Sequence, residues 1–447
     1  MRARLCGVFA LAGVTALSAQ VNAPVQYLSH AHATPVFTAL GVPLPDARDW
    51  VRWISSADAA TRARVAVGEE LSIVNLLMFG TSFTSEPRLT SRQLNDTEIQ
   101  KILSRRLDDF ERALVKPDAD VRLQLARPLV QAGPSPRARL LSMIDRALRD
   151  AATHARLTAE AQALGDPSLE FAERSRLYRD RGLAPDTSIR VNFALEQALR
   201  RLRGLTPVPV RGSDPGRPGG VRRVGIIGPG LDLVDKEEGY DFYPPQTIQP
   251  FALIDSLVRL GLADRATLQV TTFDVSASVN KHITDMRRQA GARTPYVLHL
   301  PLDGTVAWTP QLLSYFAAFG DAVGSPVPAS VPPGIGSVKL RAVAVPSSIA
   351  RRIEPRDLNI TAQTMAMSED ERFDLVVGTN VFLYYDRLQQ GLAMLSVSSM
   401  LRPGGVLLSN NALVEVPAIG MRSIGYSKTL YSNRPEDGDL IITYQKN

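Results

Sequence analysis

From residue 221 to the end of the 447-residue chain, short β-rich runs alternate with helical stretches. Parallel strands need a crossover connection, which is usually a helix, so this alternation favours a parallel sheet. The sequence therefore predicts an α/β domain with a Rossmann-like, doubly wound sheet. The predicted strands are 224–227, 268–273, 296–300, 340–345, 373–377, 406–409 and 440–444.

The residues before this domain have a different pattern. Residues 46–205 carry apolar side chains at helical spacing, which predicts an all-helical domain. Residues 206–220 are rich in proline and glycine and have the composition of a linker. Residues 24–45 show no clear period, and we expect an extended lead-in there. The α/β domain is thus expected to occupy 221–447.

The first 23 residues are typical of a signal peptide. A short basic start is followed by an apolar core over residues 5–19, with small residues after it at Ala19 and Ala23. We expect export to the periplasm or medium, with cleavage after one of these alanines. Retention as a membrane anchor is the alternative. Cys6 is the single cysteine, so the cleaved chain has no disulfide. No later apolar run reaches membrane-spanning length, so we expect no stable insertion of the mature chain.

Charge and histidine spacing exclude two classes of partner. The formal net charge is +6, but the basic residues are spread along the chain and form no patch interleaved with aromatic side chains. We therefore expect no nucleic acid partner. The five histidines lack the spacing of metal ligands, so no metal site is predicted.

The ends of the first two predicted strands carry residues suited to a nucleotide-like ligand. Gly228-Pro229-Gly230 follows the first strand, and glycine lets the backbone approach a ligand. The dinucleotide pattern GxGxxG is absent because position 233 is leucine, which disfavours a nicotinamide-dependent oxidoreductase. Asp274 follows the second strand, where an acid can accept hydrogen bonds from ribose hydroxyls. Its alternative role is a helix N-cap.

Later segments carry a family resemblance. Asn380-Val381-Phe382-Leu383-Tyr384-Tyr385-Asp386 and Leu401-Arg402-Pro403-Gly404-Gly405 resemble class I S-adenosylmethionine-dependent methyltransferases. More narrowly, they resemble the chemotaxis-receptor glutamate methyltransferases, which also place a helical domain before the catalytic one. The resemblance covers 221–447 and is strongest over 373–409. It implies a seven-stranded methyltransferase sheet that closes with an antiparallel pair, and S-adenosylmethionine as cofactor.

The resemblance also implies roles for individual residues. Gly228, Gly230 and Asp232 would line the methionine end of the cofactor, and Asp274 would hold the ribose. The remaining cofactor-binding residues would be Asp357 and Leu358 beside the adenine, and Asn380 and Val381 below the methyl group. Asn380 and Tyr384 are the expected catalytic residues.

Two functions remain open from the sequence. The first is methyl transfer from S-adenosylmethionine to an unknown acceptor, with a protein carboxylate and a small molecule as candidates. The second is an exported, non-catalytic binding protein on a methyltransferase fold, because the first motif has Ile226 where the family often has an acid and Asp232 where it has a third glycine. We expect the helical domain and a Pro/Gly-rich surface loop at 320–337 to shape the acceptor site.

Overall fold

The computed structural model describes most of the chain outside its N-terminus and several internal stretches. The predicted signal peptide up to residue 22 and the predicted linker at 206–219 lie outside the described residues. The described residues are 23–89, 97–117, 120–131, 135–163, 182–183, 188–205, 220–234, 241–292, 294–304, 306–331, 339–435 and 437–447.

Helices dominate the first half of the chain, and strands alternate with helices in the second. The helices are α1 (His30–Leu40), α2 (Trp50–Phe79), α3 (Thr97–Leu114), α4 (Val121–Gln131), α5 (Pro136–Ala163), α6 (Val191–Leu205), α7 (Gln249–Arg259), α8 (Ala277–Gly291), α9 (Pro310–Ala318), α10 (Ser347–Ala350) and α11 (Arg387–Met400). The strands are β1 (Val25–Tyr27), β2 (Arg223–Ile227), β3 (Gln269–Asp274), β4 (Tyr296–Pro301), β5 (Ser325–Val327), β6 (Leu340–Val345), β7 (Ile353–Asp357), β8 (Gln363–Met365), β9 (Phe373–Gly378), β10 (Leu401–Ser409), β11 (Met421–Leu430) and β12 (Gly438–Lys446).

The central sheet has seven strands in the order β11-β12-β10-β9-β2-β3-β7. β12 runs antiparallel to both of its neighbours, and the other strand pairs are parallel. From β2 the chain builds outward through β3 to β7, then returns to β9 and builds outward in the opposite direction. This confirms the predicted doubly wound seven-stranded sheet and its closing antiparallel pair.

The central strands form because their apolar runs are buried on both faces, as parallel sheets require. In β2, Val224, Ile226 and Ile227 are all buried. One face of the sheet packs on α6, α7 and α8 in one hydrophobic cluster. The other face packs on α1, α11 and the start of α2 in a second cluster.

Two of the predicted strands do not enter the central sheet. β4 and β6 pair antiparallel with each other, and β5 pairs with β6, in a separate three-stranded sheet. Our assignment of 296–300 and 340–345 to the parallel sheet was therefore wrong, because strand periodicity carries no information on the pairing partner. The expected loop at 320–337 is also corrected in part, since it contains β5, while 332–338 lie outside the described residues.

The third main strand is β7, which the β-rich pattern missed. Its sequence, Ile353-Glu354-Pro355-Arg356-Asp357, has a single buried apolar side chain, that of Ile353. β7 is an edge strand, and edges tolerate proline and favour charged residues that prevent further pairing. Its composition thus reflects its place at the edge.

The segment 24–45 is not an extended lead-in, which corrects our prediction. β1 pairs antiparallel with β8, and α1 packs on α11. At this contact Val36 of α1 lies so close to Gly391 that a Cβ on Gly391 would come within 2.6 Å of Val36 Cγ1. Within this segment, His30 contacts the carbonyl of Pro45 and packs edge-on against Trp50.

Two buried polar contacts join the helical region to the α/β part. Asp241 is fully buried, and its carboxylate accepts hydrogen bonds from the backbone N–H and hydroxyl groups of Thr81 and Ser82, just after α2. Arg122 of α4 donates to the carbonyls of Leu233 and Tyr243. Buried charges of this kind persist only when they are paired or hydrogen-bonded. The domain boundaries that we predicted stay predictions.

No helix in the described parts of the chain is both long and apolar enough to cross a bilayer.

The packing of α1 on α11 can be tested with matched glycine substitutions. Gly391→Ala should lower the free energy of unfolding by about 1–3 kcal/mol because the new methyl group overpacks the α1–α11 contact. Gly291→Ala at the end of α8 meets open space and should be neutral or stabilising by up to about 1 kcal/mol. Urea denaturation of both variants provides the comparison. Equal effects would show that α1 does not pack where the structure places it.

Candidate functional site

An open cavity, whose volume is about 530 Å³ when the solvent space at its mouth is included, lies at the carboxyl edge of the central sheet, where the strand order reverses between β2 and β9. This is the place where open α/β sheets bind ligands. Seven of the nine predicted site residues line it. The lining consists of Val65, Leu183, Ile227, Gly228, Gly230, Phe273, Asp274, Val275, Ser276, Leu358, Ile360, Asn380, Val381, Tyr384 and Tyr385.

The glycine turn after β2 forms one wall of the cavity. Gly228 and Gly230 have φ angles of +64° and +72°, in the left-handed region that other residues rarely adopt. The N–H of Gly228 donates to the carbonyl of Phe273, which ties the turn to β3. A Cβ on Gly228 would lie 2.5 Å from Val381 Cγ2. Gly228 is therefore required both by its backbone angle and by the approach of the turn after β9.

Asp274 ends β3 and faces the cavity. Removal from water raises the pKa of Asp274 to about 7, against the effect of hydrogen bonds from the backbone of Ser276 and Val275; the carboxylates of Asp357 and Glu69 raise it further. The N-cap of α8 is Ser276, whose hydroxyl accepts from the N–H of Val279, so the alternative role of Asp274 as N-cap is wrong.

Apolar side chains flank Asp274 and form a second wall. Phe273 and Leu358 are almost fully buried, as is Ile360, and all three line the cavity. Leu358 follows β7 directly, and its N–H donates to the carbonyl of Asp274. The cavity therefore places a carboxylate beside apolar side chains, which suits a ligand with a hydroxyl-bearing part and an apolar part.

The turn after β9 forms the opposite wall. Asn380 has a φ angle of +58° and is the one non-glycine residue in the described parts of the chain with positive φ. Such backbone strain concentrates at functional sites. Tyr384 and Tyr385 follow on this turn and line the cavity. Burial raises the pKa of Tyr385 far above its usual value, so its hydroxyl stays protonated.

α2 crosses over the cavity, which the sequence did not indicate. Val65 of α2 lines the cavity, and Arg64 donates to the carbonyl of Tyr384 at 2.8 Å. One turn further on, Glu69 accepts a hydrogen bond of 2.9 Å from the Ser278 hydroxyl on α8. α2 thus bridges the loops after β9 and β3. The helical spacing of 46–205 predicted helix there, but nothing in that pattern identified the partner of α2.

Two predicted site residues do not line the cavity. Asp232 is buried and its carboxylate lies 3.1 Å from Gln246 Nε2, within an antiparallel bridge between these two residues. Asp357 lies at the end of β7, but its side chain is 63% exposed and pairs with Arg62 of α2 at 2.7 Å. Both side chains therefore stabilise the surroundings of the cavity.

The described residues include no group of three or more side chains that could hold a metal ion. His282 lies 2.9 Å from the Tyr296 hydroxyl, and burial lowers the pKa of His282 to about 4. His299 lies in β4, as expected for a strand, and stacks on Tyr243. Neither histidine lines the cavity.

No protein-family model matches the chain, and no curated protein matches it. The glycopeptide N-methyltransferase MtfA with bound (S)-adenosyl-L-methionine is 11% identical at a TM-score of 0.27, over 57% of this chain and 94% of that chain. N-methyltransferase NodS from Bradyrhizobium japonicum WM9, with S-adenosyl-L-homocysteine, is 13% identical at 0.25, over 57% and 87%. Magnesium protoporphyrin IX methyltransferase ChlM from Synechocystis PCC 6803, with bound S-adenosylmethionine, is 9% identical at 0.25, over 58% and 79%.

Because these TM-scores are low, we judge the fold from the strand order of this chain. We judge its activity from the residues that line its cavity. None of these three proteins is a chemotaxis-receptor methyltransferase. The narrower resemblance that the sequence suggested therefore gains no support from them.

The raised pKa of Asp274 predicts how stability depends on pH. In the folded chain Asp274 holds its proton up to about pH 7, whereas its usual value is 3.8. Its contribution to stability is complete below pH 3.8 and is lost as the pH rises through 7. Asp274→Asn lacks this loss, so its melting temperature should exceed that of the wild type by more at pH 8 than at pH 5. Asp370→Asn, at an exposed acid, is the matched control. A pH-independent difference would contradict the buried carboxylate.

Proposed function

We propose that this chain is an S-adenosylmethionine-dependent methyltransferase with its cofactor in the cavity under α2. The observation that carries this proposal is the position of Asp274. Its half-buried carboxylate lies at the end of β3. The glycine turn after β2 and the apolar side chains of Leu358 and Ile360 line the same cavity. A carboxylate in this position accepts hydrogen bonds from two vicinal hydroxyl groups.

The residues present fit the cofactor part by part. Asp274 would hold the ribose hydroxyls, and Leu358 and Ile360 would flank the adenine. Gly228 and Gly230 would leave room for the methionine end. When bound, the cofactor supplies a methyl group already activated on a sulfonium, so the protein need not generate a strong electrophile.

The contribution of the chain is then to orient the acceptor and exclude water. Asn380 and Tyr384 lie on the strained turn after β9, and we assign them to positioning the acceptor group. α2 closes the cavity from above through Val65 and Arg64. Among the described residues, no histidine lines the cavity. The hydroxyl of Tyr385 stays protonated at neutral pH and therefore cannot act as a general base.

We leave the acceptor as either a protein group or a small molecule, and we keep the expectation that no nucleic acid takes part. Export by the N-terminal signal stays part of the proposal. No specific contact among the described residues favours the alternative of an exported, non-catalytic binding protein, and cofactor binding decides between the two.

S-Adenosylhomocysteine binding, measured by calorimetry on the purified chain, tests the proposal. The ionised form of Asp274 is the hydrogen-bond acceptor, and its pKa is about 7. The affinity should therefore rise about tenfold from pH 6 to pH 8. Asp274→Asn should weaken binding strongly at pH 8 and remove the pH dependence.

Asp370→Asn serves as the control because it carries the same change at an exposed position that does not line the cavity. Its affinity should equal that of the wild type at both pH values. Absence of binding at millimolar ligand, or binding unaffected by Asp274→Asn, would overturn the proposal.

If the chain is exported, the structure also bears on where the signal is cut. Ala23 is 4% exposed within the cluster that contains α1, and the carbonyl of Pro24 accepts from the N–H of Ala366. Cleavage after Ala23 would remove a buried residue, so we expect cleavage after Ala19. Mass spectrometry of the exported protein should find Gln20 at the N-terminus. Pro24 at the N-terminus would contradict this expectation.

A further inference from the structure

The strained turn at Asn380 is held by a second asparagine that the sequence did not single out. The backbone N–H of Asn380 donates to Asn410 Oδ1 at 2.9 Å, and Asn410 Nδ2 donates to Asn380 Oδ1 at 2.7 Å. Asn410 directly follows β10, so this pair links the ends of two neighbouring strands. Asn380 lines the cavity.

Two hydrogen-bond partners determine the orientation of the Asn410 amide, because one can only donate and the other can only accept. The backbone N–H of Asn380 can only donate, so it must face the Asn410 oxygen. The carboxylate of Asp439 lies 3.2 Å from the other end and can only accept, so that end must be Nδ2. Both partners give the same orientation.

Asp439 is itself held in place. Its Oδ2 accepts a hydrogen bond of 2.5 Å from the hydroxyl of Tyr431, which is 4% exposed. Burial raises the pKa of Tyr431 far above its usual value, so its hydroxyl remains a donor. Four side chains, those of Tyr431, Asp439, Asn410 and Asn380, thus form a continuous hydrogen-bond network along the carboxyl edge of the sheet.

This hydrogen-bond network determines which end of the Asn380 amide remains free. Its Oδ1 is taken by Asn410, while its Nδ2 donates to no other residue in the described parts of the chain. Backbone carbonyls of the same turn are also engaged: Tyr384 O accepts from Arg64, and Tyr385 O accepts from Gln390. Because Asn380 lines the cavity, its Nδ2 is a hydrogen-bond donor that a ligand there can use.

Resting on the proposed function, we propose that Asn410 is a positioning residue that makes the acceptor site select an oxygen without a proton over an amine. An oxygen acceptor with free lone pairs accepts a hydrogen bond from Asn380 Nδ2, which holds it beside the cofactor. An amine carries N–H groups that need acceptors, and facing Nδ2 instead would leave donors opposed.

A charge-neutral exchange reverses this orientation. In Asn410→Asp/Asp439→Asn, residue 410 can only accept, from the backbone N–H of Asn380, from residue 439 and from Asn380 Nδ2. The Asn380 amide must then turn its oxygen to the cavity. The bond from Tyr431 is kept because an amide oxygen still accepts it.

The measurement is a titration followed by NMR on chains labelled with nitrogen-15 in asparagine and saturated with S-adenosylhomocysteine. The probes are acetate, acetone and methylammonium. The Asn380 side-chain resonance is assigned by its loss in Asn380→Ala. Acetone is included because it accepts hydrogen bonds without charge, so agreement between acetone and acetate excludes a purely electrostatic effect.

In the wild type, acetate and acetone should shift this resonance at concentrations at least tenfold lower than methylammonium, and the exchanged chain should show the reverse order. Asn447→Asp, beyond the far end of β12, should behave as the wild type. Should the exchanged chain fail to fold, Asn410→Ala should reduce the wild-type preference to within about twofold.

Equal or reversed preference in the wild type, or an unchanged preference in the exchanged chain, would overturn this inference. With a normal affinity for S-adenosylhomocysteine, such a result would leave the proposed function standing. Absence of S-adenosylhomocysteine binding would overturn both.

Discussion

The reversal of strand order between β2 and β9 is the constraint on which the rest of the site depends. Strand β2 leads to β3 on one side, whereas β9 leads to β10 on the other, so the loops after β2 and β9 diverge and leave a crevice at the carboxyl edge. The turn at Gly228 can pack against Val381 across the base of this crevice only because it lacks a side chain. The cavity is thus a consequence of topology, and the contact between its two loops depends on one glycine.

The helical region completes this crevice. α2 starts in the hydrophobic cluster that covers the sheet and ends in the core of the helical region, so one rigid helix belongs to both. Val65 of α2 lines the cavity, and burial within this cavity raises the pKa of the Asp274 carboxyl group. Burial of a carboxylate is costly, and the backbone N–H groups that donate to Asp274 offset only part of that cost. The same burial makes the site receptive to a ligand that brings hydroxyl donors, so some stability is exchanged for binding.

The sequence predicted best what local pattern determines. β2, β3 and β9 were predicted because strands buried on both faces leave continuous apolar runs. The β-rich pattern missed β7 because Pro355 and its charged neighbours suit an edge. β4 and β6 were recognised as strands but assigned to the wrong sheet, since pairing is decided by tertiary contacts.

The same division holds for the site. Gly228 and Asp274 follow apolar strands and were found from position alone. The side chain of Asp232 turns away from the cavity toward Gln246, and position in a motif does not determine side-chain direction. Val65 lines the cavity, and Asn410 holds the turn at Asn380. Both contacts join residues far apart in sequence, so local spacing could not predict them.

A crystal structure of the chain grown with saturating S-adenosylhomocysteine tests the central claim most directly. The account predicts the ligand under α2, with both ribose hydroxyls within hydrogen-bond distance of the Asp274 carboxylate and the adenine between Leu358 and Ile360. A cavity that holds no ligand under these conditions, or a ligand bound elsewhere on the chain, would contradict it.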